Sequence, residues 1–304
     1  MNQLVQNFIE SANSAILGKK HELKLALCCF LSNGHLLIED VPGVGKTTFA
    51  KTMAKLLDLS FSRIQFTNDL MPSDLLGIQI YDTKEQKFNL IPGPIFNQFI
   101  LADELNRGTP KTQSALLEAM EEQQVTLDGQ TISLPYPFFV LATQNPRAQI
   151  GTHHLPESQL DRFMMKIKIG YPEHSFEKSL ISEDLHIKNF QQLKPIISST
   201  ELRLITNEIS KVNVSDKLIE YVLLLLENSR NNNLLQGLSP RAGRDIIKAA
   251  KSWAFIEGRD YVLPDDVQVV LPAVVSHRLA ILQGQSFAED LELSNSLIKL
   301  THVD

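Results

Sequence analysis

The pattern of apolar and polar positions predicts strands and helices in turn over the first half of the chain, and helices alone over the second. Leu4 to Ala15 is amphipathic at a helical period. After a break at Ile16-Leu17-Gly18, a second helix is expected over Lys20 to Leu31. Ser32-Asn33-Gly34 turns the chain into a short apolar strand, His35 to Glu39. A glycine-rich turn follows, then a helix reaching about Leu57. A second strand is expected at Phe61 to Phe66, and a short helix within Asn68 to Gly77. Gly77 to Ile91 reads as a hairpin with Ile78, Ile80, Phe88 and Leu90 as its packing positions.

Phe99 to Glu104 and Phe138 to Pro146 are continuous apolar runs with polar ends, the pattern of strands buried on both faces. Between them Thr109-Pro110 should cap and open a helix that packs through Gln113, Leu116, Leu117 and Met120. Asp128-Gly129 should turn a hairpin over Val125 to Ile132. Ile167 to Ile169 reads as the last strand. This alternation predicts an α/β fold with a doubly wound parallel sheet, interrupted by two inserted hairpins. Beyond Gly170-Tyr171-Pro172 the pattern is helical, at about 175–188, 200–212, 215–229, 240–257 and 265–283. Ser215 and Ser239 look like N-caps, and Pro240 and Pro264 sit at helix starts. The expected organisation is an α/β domain over 1–172 and an α-helical domain over 173–304.

Composition narrows the class. A chain of 304 residues, 43% hydrophobic and 21% charged, has enough sequence for two cores. The formal net charge of −6 argues against bulk electrostatic binding to nucleic acid. No apolar run is long enough to span a membrane, and the start of the chain reads as an amphipathic segment and not as a signal peptide. Cys28 and Cys29 lie in an apolar helical run without a CxxC partner, and read as buried thiols of a cytoplasmic protein. His153-His154 is the one histidine cluster, with no metal spacing.

The chemistry concentrates in Pro42-Gly43-Val44-Gly45-Lys46-Thr47-Thr48, between a strand and a helix. That context suits a phosphate-binding loop: successive backbone N–H groups and the positive end of a helix dipole both attract polyanions. Lys46 can reach the outer phosphates, and the Thr47 hydroxyl can ligate Mg²⁺. The full pattern G-x-x-x-x-G-K-[ST] requires glycine where this chain has Asp40. Aspartate tolerates left-handed backbone better than most residues, so the turn is expected to survive. Asp103 and Glu104 end a buried strand at the sheet edge where ligands bind. Asp103 can hold magnesium through water, and Glu104 can orient or deprotonate an attacking water. Asn145 is either a side-chain amide reaching the same place or a turn-former before Pro146.

Together these residues resemble the AAA+ ATPases of the MoxR family. The likeness runs through Glu39-Asp40-Val41-Pro42-Gly43-Val44-Gly45-Lys46-Thr47, Asp103-Glu104-Leu105-Asn106-Arg107, Ala142-Thr143-Gln144-Asn145-Pro146, Asp161-Arg162-Phe163 and Ser239-Pro240-Arg241-Ala242. It covers roughly residues 1–285, and the family often carries aspartate at the position of Asp40. The resemblance implies a P-loop NTPase core with a C-terminal α-helical lid, using ATP and Mg²⁺. It implies Lys46 and Thr47 as Walker A, Asp103 and Glu104 as Walker B, and Asn145 as sensor 1. Arg162 is implied as a finger acting on a neighbouring subunit's ATP, and Arg241, in the first turn of a lid helix, as sensor 2. Rotation of the lid could carry Arg241 to the γ-phosphate. Ile16-Leu17-Gly18 matches the segment that packs on adenine.

The function implied is ATP hydrolysis in a homo-oligomeric ring, a hexamer, that remodels, activates or loads metal into a client protein, with a von Willebrand factor A domain protein as partner. Two other readings are a nucleotide-gated switch with little turnover and a DNA-associated motor. Retention of Glu104 and Arg162 opposes the first, and the acidic balance opposes the second.

Overall fold

The computed structural model describes residues 1–84, 86–145, 153, 155–171, 190–231, 237–279 and 287–301. Two helices, α1 (Asn2–Ala15) and α2 (Lys20–Leu31), precede β1 (Leu36–Glu39) and α3 (Lys46–Leu56). Next come β2 (Phe61–Gln65), α4 (Pro72–Leu76) and the hairpin β3 (Gly77–Asp82) and β4 (Lys87–Pro92). They lead to β5 (Phe99–Asp103), α5 (Pro110–Glu122) and a second hairpin, β6 (Gln124–Leu127) and β7 (Gln130–Ser133). The α/β part closes with β8 (Phe139–Gln144), α6 (Glu157–Leu160) and β9 (Met165–Ile167). The helical part follows as α7 (Ser199–Ser210), α8 (Asp216–Asn231), α9 (Pro240–Ile256), α10 (Pro264–Leu279) and α11 (Phe287–Leu300).

The main sheet has five strands in the order β2-β5-β8-β1-β9, all paired in parallel. Period-two alternation sends Leu36, Ile38, Phe99, Leu101, Phe139 and Leu141 into one core and Leu37, Ile100, Ala102, Val140 and Ala142 into the other. The first core also takes in α1, α2, α3 and the C-terminal helices; the second is closed by α5. The helical part is therefore joined to the sheet by continuous apolar packing. The expected helix at 175–188 and the boundary at Pro172 lie outside the described residues.

Two expectations need correction. The last strand is Met165–Ile167, two residues earlier than the pattern placed it, because Leu36 pairs with Met165 and Ile38 with Ile167. The β3–β4 hairpin packs little of its apolar surface: Ile78, Ile80, Tyr81, Phe88 and Ile91 are all exposed, and Leu90 is half-buried. A two-stranded ribbon outside the main sheet has no layer behind it, so alternation along it does not mark burial.

His35 fixes the edge of the sheet where the strands begin. Its Nδ1 accepts from the N–H of Val140 at 3.1 Å, and its Nε2 lies 3.1 Å from the carbonyl of Met120. That pairing requires the neutral Nε2–H tautomer. Burial agrees, pushing the His35 pKa down to about 4. Cys28 and Cys29 are free and fully buried, and burial pushes both thiols far above their ordinary range.

Candidate functional site

Gly43 and Gly45 both have φ +89, in the left-handed region, and an added Cβ at either would meet nothing within 4 Å. The glycines are needed for backbone conformation and not for space. Gly45 is the N-cap of α3, and no side chain caps that helix. The first turn of α3 thus presents amide donors to the loop's concave side, the arrangement an anionic phosphate chain fits. Pro42, Gly43 and Gly45 are exposed, while Val44, Thr47 and Thr48 are half-buried. Lys46 is buried and donates 2.7 Å to the carbonyl of Asp40. Burial pulls its pKa down, opposed by the carboxylates of Asp103, Asp40 and Glu104.

Asp40 is tolerated for a reason other than the one expected. It is not among the residues with positive φ. It is 1% exposed, and its carboxylate accepts from the N–H of Val41 at 2.8 Å and from the N–H of Gly170. Asp40 therefore ties the loop to the chain leaving β9. The neighbouring Tyr171 carbonyl accepts from Lys19 Nζ at 2.9 Å. This chain of contacts brings the Ile16-Leu17-Gly18 turn to the same edge as the loop; Ile16 and Leu17 are half-buried there, and Gly18 has φ +72. Asp40→Gly, which restores the ordinary loop pattern, should destabilise the fold by about 1–3 kcal/mol by removing a buried carboxylate from the part-buried N–H groups of Val41 and Gly170. Urea unfolding would measure it.

The two carboxylates sit where β5 ends. Asp103 Oδ1 accepts from the Thr143 hydroxyl at 2.6 Å, and Oδ2 accepts from Arg63 at 2.6 and 3.1 Å. Glu104 has φ +55, rare for a residue with a side chain, and its N–H donates to the Thr143 hydroxyl at 2.9 Å. Such backbone strain persists where surrounding contacts over-determine it. The Glu104 carboxylate accepts from Gln65 at 3.0 Å, Arg107 at 3.0 Å and Asn145 at 3.3 Å. Asn145 is thus beside Glu104, with its side-chain amide within hydrogen-bond reach of that carboxylate. Thr143, Gln65, Arg63 and Arg107 escaped the sequence reading. Arg107 and Thr143 lie inside the motif runs but have no spacing of their own, and Arg63 and Gln65 lie in β2, away from any motif.

The arginines lie elsewhere. In a parallel sheet the loop after β1, Asp103 and Asn145 all share the edge where strands end. Arg162 precedes β9 and so belongs to the opposite edge, about 13 Å away along β1. Arg162 donates 2.7 Å to the carbonyl of Leu117 and pairs with Glu121 Oε2 at 3.0 Å. Arg241, in the first turn of α9 behind the Ser239 cap, reaches Glu121 Oε1 at 3.3 Å and Asp161 at 3.9 Å. Arg162, Arg241 and Glu121 line a cavity of about 340 Å³ with His35, Arg244, Asp245 and Lys248. Buried Arg278 of α10 holds the cluster in place, through Asp161 at 2.8 Å and Asp245 at 2.6 Å. The structure brings Arg162 and Arg241 to each other, and brings neither to the loop of its own chain.

A family model described as "ATPase family associated with various cellular activities (AAA)" matches residues 35–165, and one described as "AAA lid domain" matches residues 229–298. The chain is 43% identical over 282 residues to YeaC, an uncharacterised protein of Bacillus subtilis, covering 92% of this chain and 88% of that one. It is 42% identical over 287 residues to Chaperone MoxR1 of Mycobacterium tuberculosis, covering 91% and 75%. Protein MoxR of Paracoccus denitrificans is 28% identical over 295 residues, covering 88% and 86%. A crystal structure of a candidate ATPase from Cytophaga hutchinsonii superposes with a TM-score of 0.87 at 37% identity, covering 100% of this chain and 96% of that one.

Proposed function

This chain belongs to the MoxR family of AAA ATPases, and from that premise we propose that it hydrolyses Mg²⁺-ATP at sites shared between neighbouring copies in a closed ring. Membership makes it a nucleotide-binding ATPase; the residue roles and the ring are the proposal. The observation that carries it is the separation of Arg162 and Arg241 from their own loop by the length of the sheet. A head-to-tail contact between copies would set one copy's arginines against the next copy's phosphates, and such heterologous contacts close into rings.

In this reading Pro42 to Thr48 and the start of α3 hold the triphosphate, and Ile16-Leu17-Gly18 flank the adenine. Thr47, and Asp103 through water, would hold Mg²⁺, which screens the phosphate charge when bound. Among the described residues there is no group of three or more His, Cys, Asp or Glu able to hold a metal by themselves. That suits an ion bound largely by phosphate oxygens and water. Glu104 takes the proton of the attacking water, and Asn145 holds both the water and Glu104. Gln65 and Arg107 already engage Glu104, so the isolated chain should turn over slowly. Residues from 173 onward act as the lid that carries Arg241.

The name of the Mycobacterium relative supports a chaperone-like output, remodelling or activating a client protein. Family likeness alone extends this to metal loading and to a von Willebrand factor A domain partner. No described helix is long and apolar enough to cross a membrane, and the buried free thiols support a cytoplasmic setting. Sedimentation velocity with and without Mg²⁺-ATP tests the ring. Assembly to a hexamer is expected with nucleotide, and Lys46→Ala should weaken nucleotide binding at least ~30-fold and stay dispersed, since it deletes a charge-assisted contact of about 2 kcal/mol or more. Full-rate hydrolysis by the monomer would refute the proposal.

A further inference from the structure

We propose that Glu121 is a positioning residue of the shared site: its carboxylate holds Arg162 and Arg241 together as the pair that one copy presents to its neighbour. This rests on the shared-site reading and adds a residue to it. The two arginines come from separate parts of the chain, one before β9 and one at the start of α9. Two guanidinium groups brought together repel each other unless an anion stands between them. Glu121 does so with both oxygens, Oε2 to Arg162 at 3.0 Å and Oε1 to Arg241 at 3.3 Å. One turn earlier on the same helix, the Leu117 carbonyl takes a second bond from Arg162. The last two turns of α5 therefore fix Arg162 at two points and Arg241 at one.

The anchor itself is rigid. Met120 is buried and its carbonyl is held by neutral His35, which also binds the backbone of β8. Glu121 is exposed at the rim of the cavity, where Arg244 and Lys248 add positive charge, so an incoming phosphate meets a surplus of cations even with Glu121 in place. Helix α5 also begins just after Asp103-Glu104. It thus spans about 20 Å, from a copy's own carboxylates to the arginines that copy offers next door.

The test is Glu121→Gln in the full-length chain with Mg²⁺-ATP. Misplacing a catalytic group by about 1 Å costs up to ~10²-fold, so kcat should fall about 10–100-fold. ATP binding and KM should be unchanged, because the copy's own loop is untouched. Mixing Glu121→Gln with Lys46→Ala copies should restore turnover, because the second protein supplies an intact arginine pair to the first protein's intact loop. Mixing Glu121→Gln with Arg162→Ala should restore none. A kcat within twofold of the unmodified chain overturns the proposal. So does failure to recover with Lys46→Ala when an Arg162→Ala and Lys46→Ala mixture does recover. Failure of both mixtures overturns the shared-site reading itself, and this proposal with it.

Discussion

Glu104→Gln is expected to bind ATP with undiminished affinity and to hydrolyse it about 10²–10⁴-fold more slowly, the range that loss of a general base produces. The substitution keeps the shape and the ability to accept a hydrogen bond but removes the proton acceptor. Its amide oxygen can still accept from Gln65 and Arg107, which share one carboxylate oxygen, while its NH2 takes the place of the oxygen that accepts from Asn145 at the half-exposed rim. The left-handed backbone at residue 104 is set by the Thr143 bond and by the turn into Leu105, neither of which involves the side chain. Folding should therefore be unaffected, and the ATP-bound ring should accumulate. Equilibrium binding of a fluorescent ATP analogue, read beside phosphate release, separates the two steps. Phosphate release near the normal rate would remove Glu104 as the residue that activates water.

The half of the site built on the loop was legible because its chemistry is local in sequence. A glycine turn between a strand and a helix, and two carboxylates ending an apolar run, announce both their elements and their edge of the sheet. The strand pattern then brings them together with no further information, since parallel strands put all their C-terminal ends side by side. Asp40 shows where local reasoning fails. Its tolerance was assigned to backbone conformation, yet its place is secured by Gly170, 130 residues away. The hairpin β3–β4 failed for a related reason: alternation reports a face that differs from its opposite, not which face meets protein. Arg162 and Arg241 were visible as motifs, but not their shared counter-ion. Glu121 sits in a helix-end run of acidic residues with nothing to distinguish it until α5, β9 and α9 are packed together.

Mixing inactive subunits gives the largest expected effect. Arg162→Ala alone should lose about 10³–10⁵-fold in turnover, the worth of an arginine delivered to a transferring phosphoryl group. Lys46→Ala alone should be inactive for want of bound nucleotide. Yet random rings of equal parts should recover activity at about a quarter of their interfaces, because a head-to-tail ring pairs the loop of one subunit with the arginine of the next. At those interfaces an Arg162→Ala subunit contributes its intact loop and a Lys46→Ala subunit its intact arginine. An arginine acting within its own chain gives no such recovery, since every loop that binds ATP would then belong to a chain without the finger. The register of β9 on β1 favours recovery: it places Arg162 beyond the start of strands whose far ends carry the loop. Phosphate release from the mixture, set against each protein alone, decides between the two, and an unrecovered mixture would place the arginine's role inside its own chain or remove it altogether.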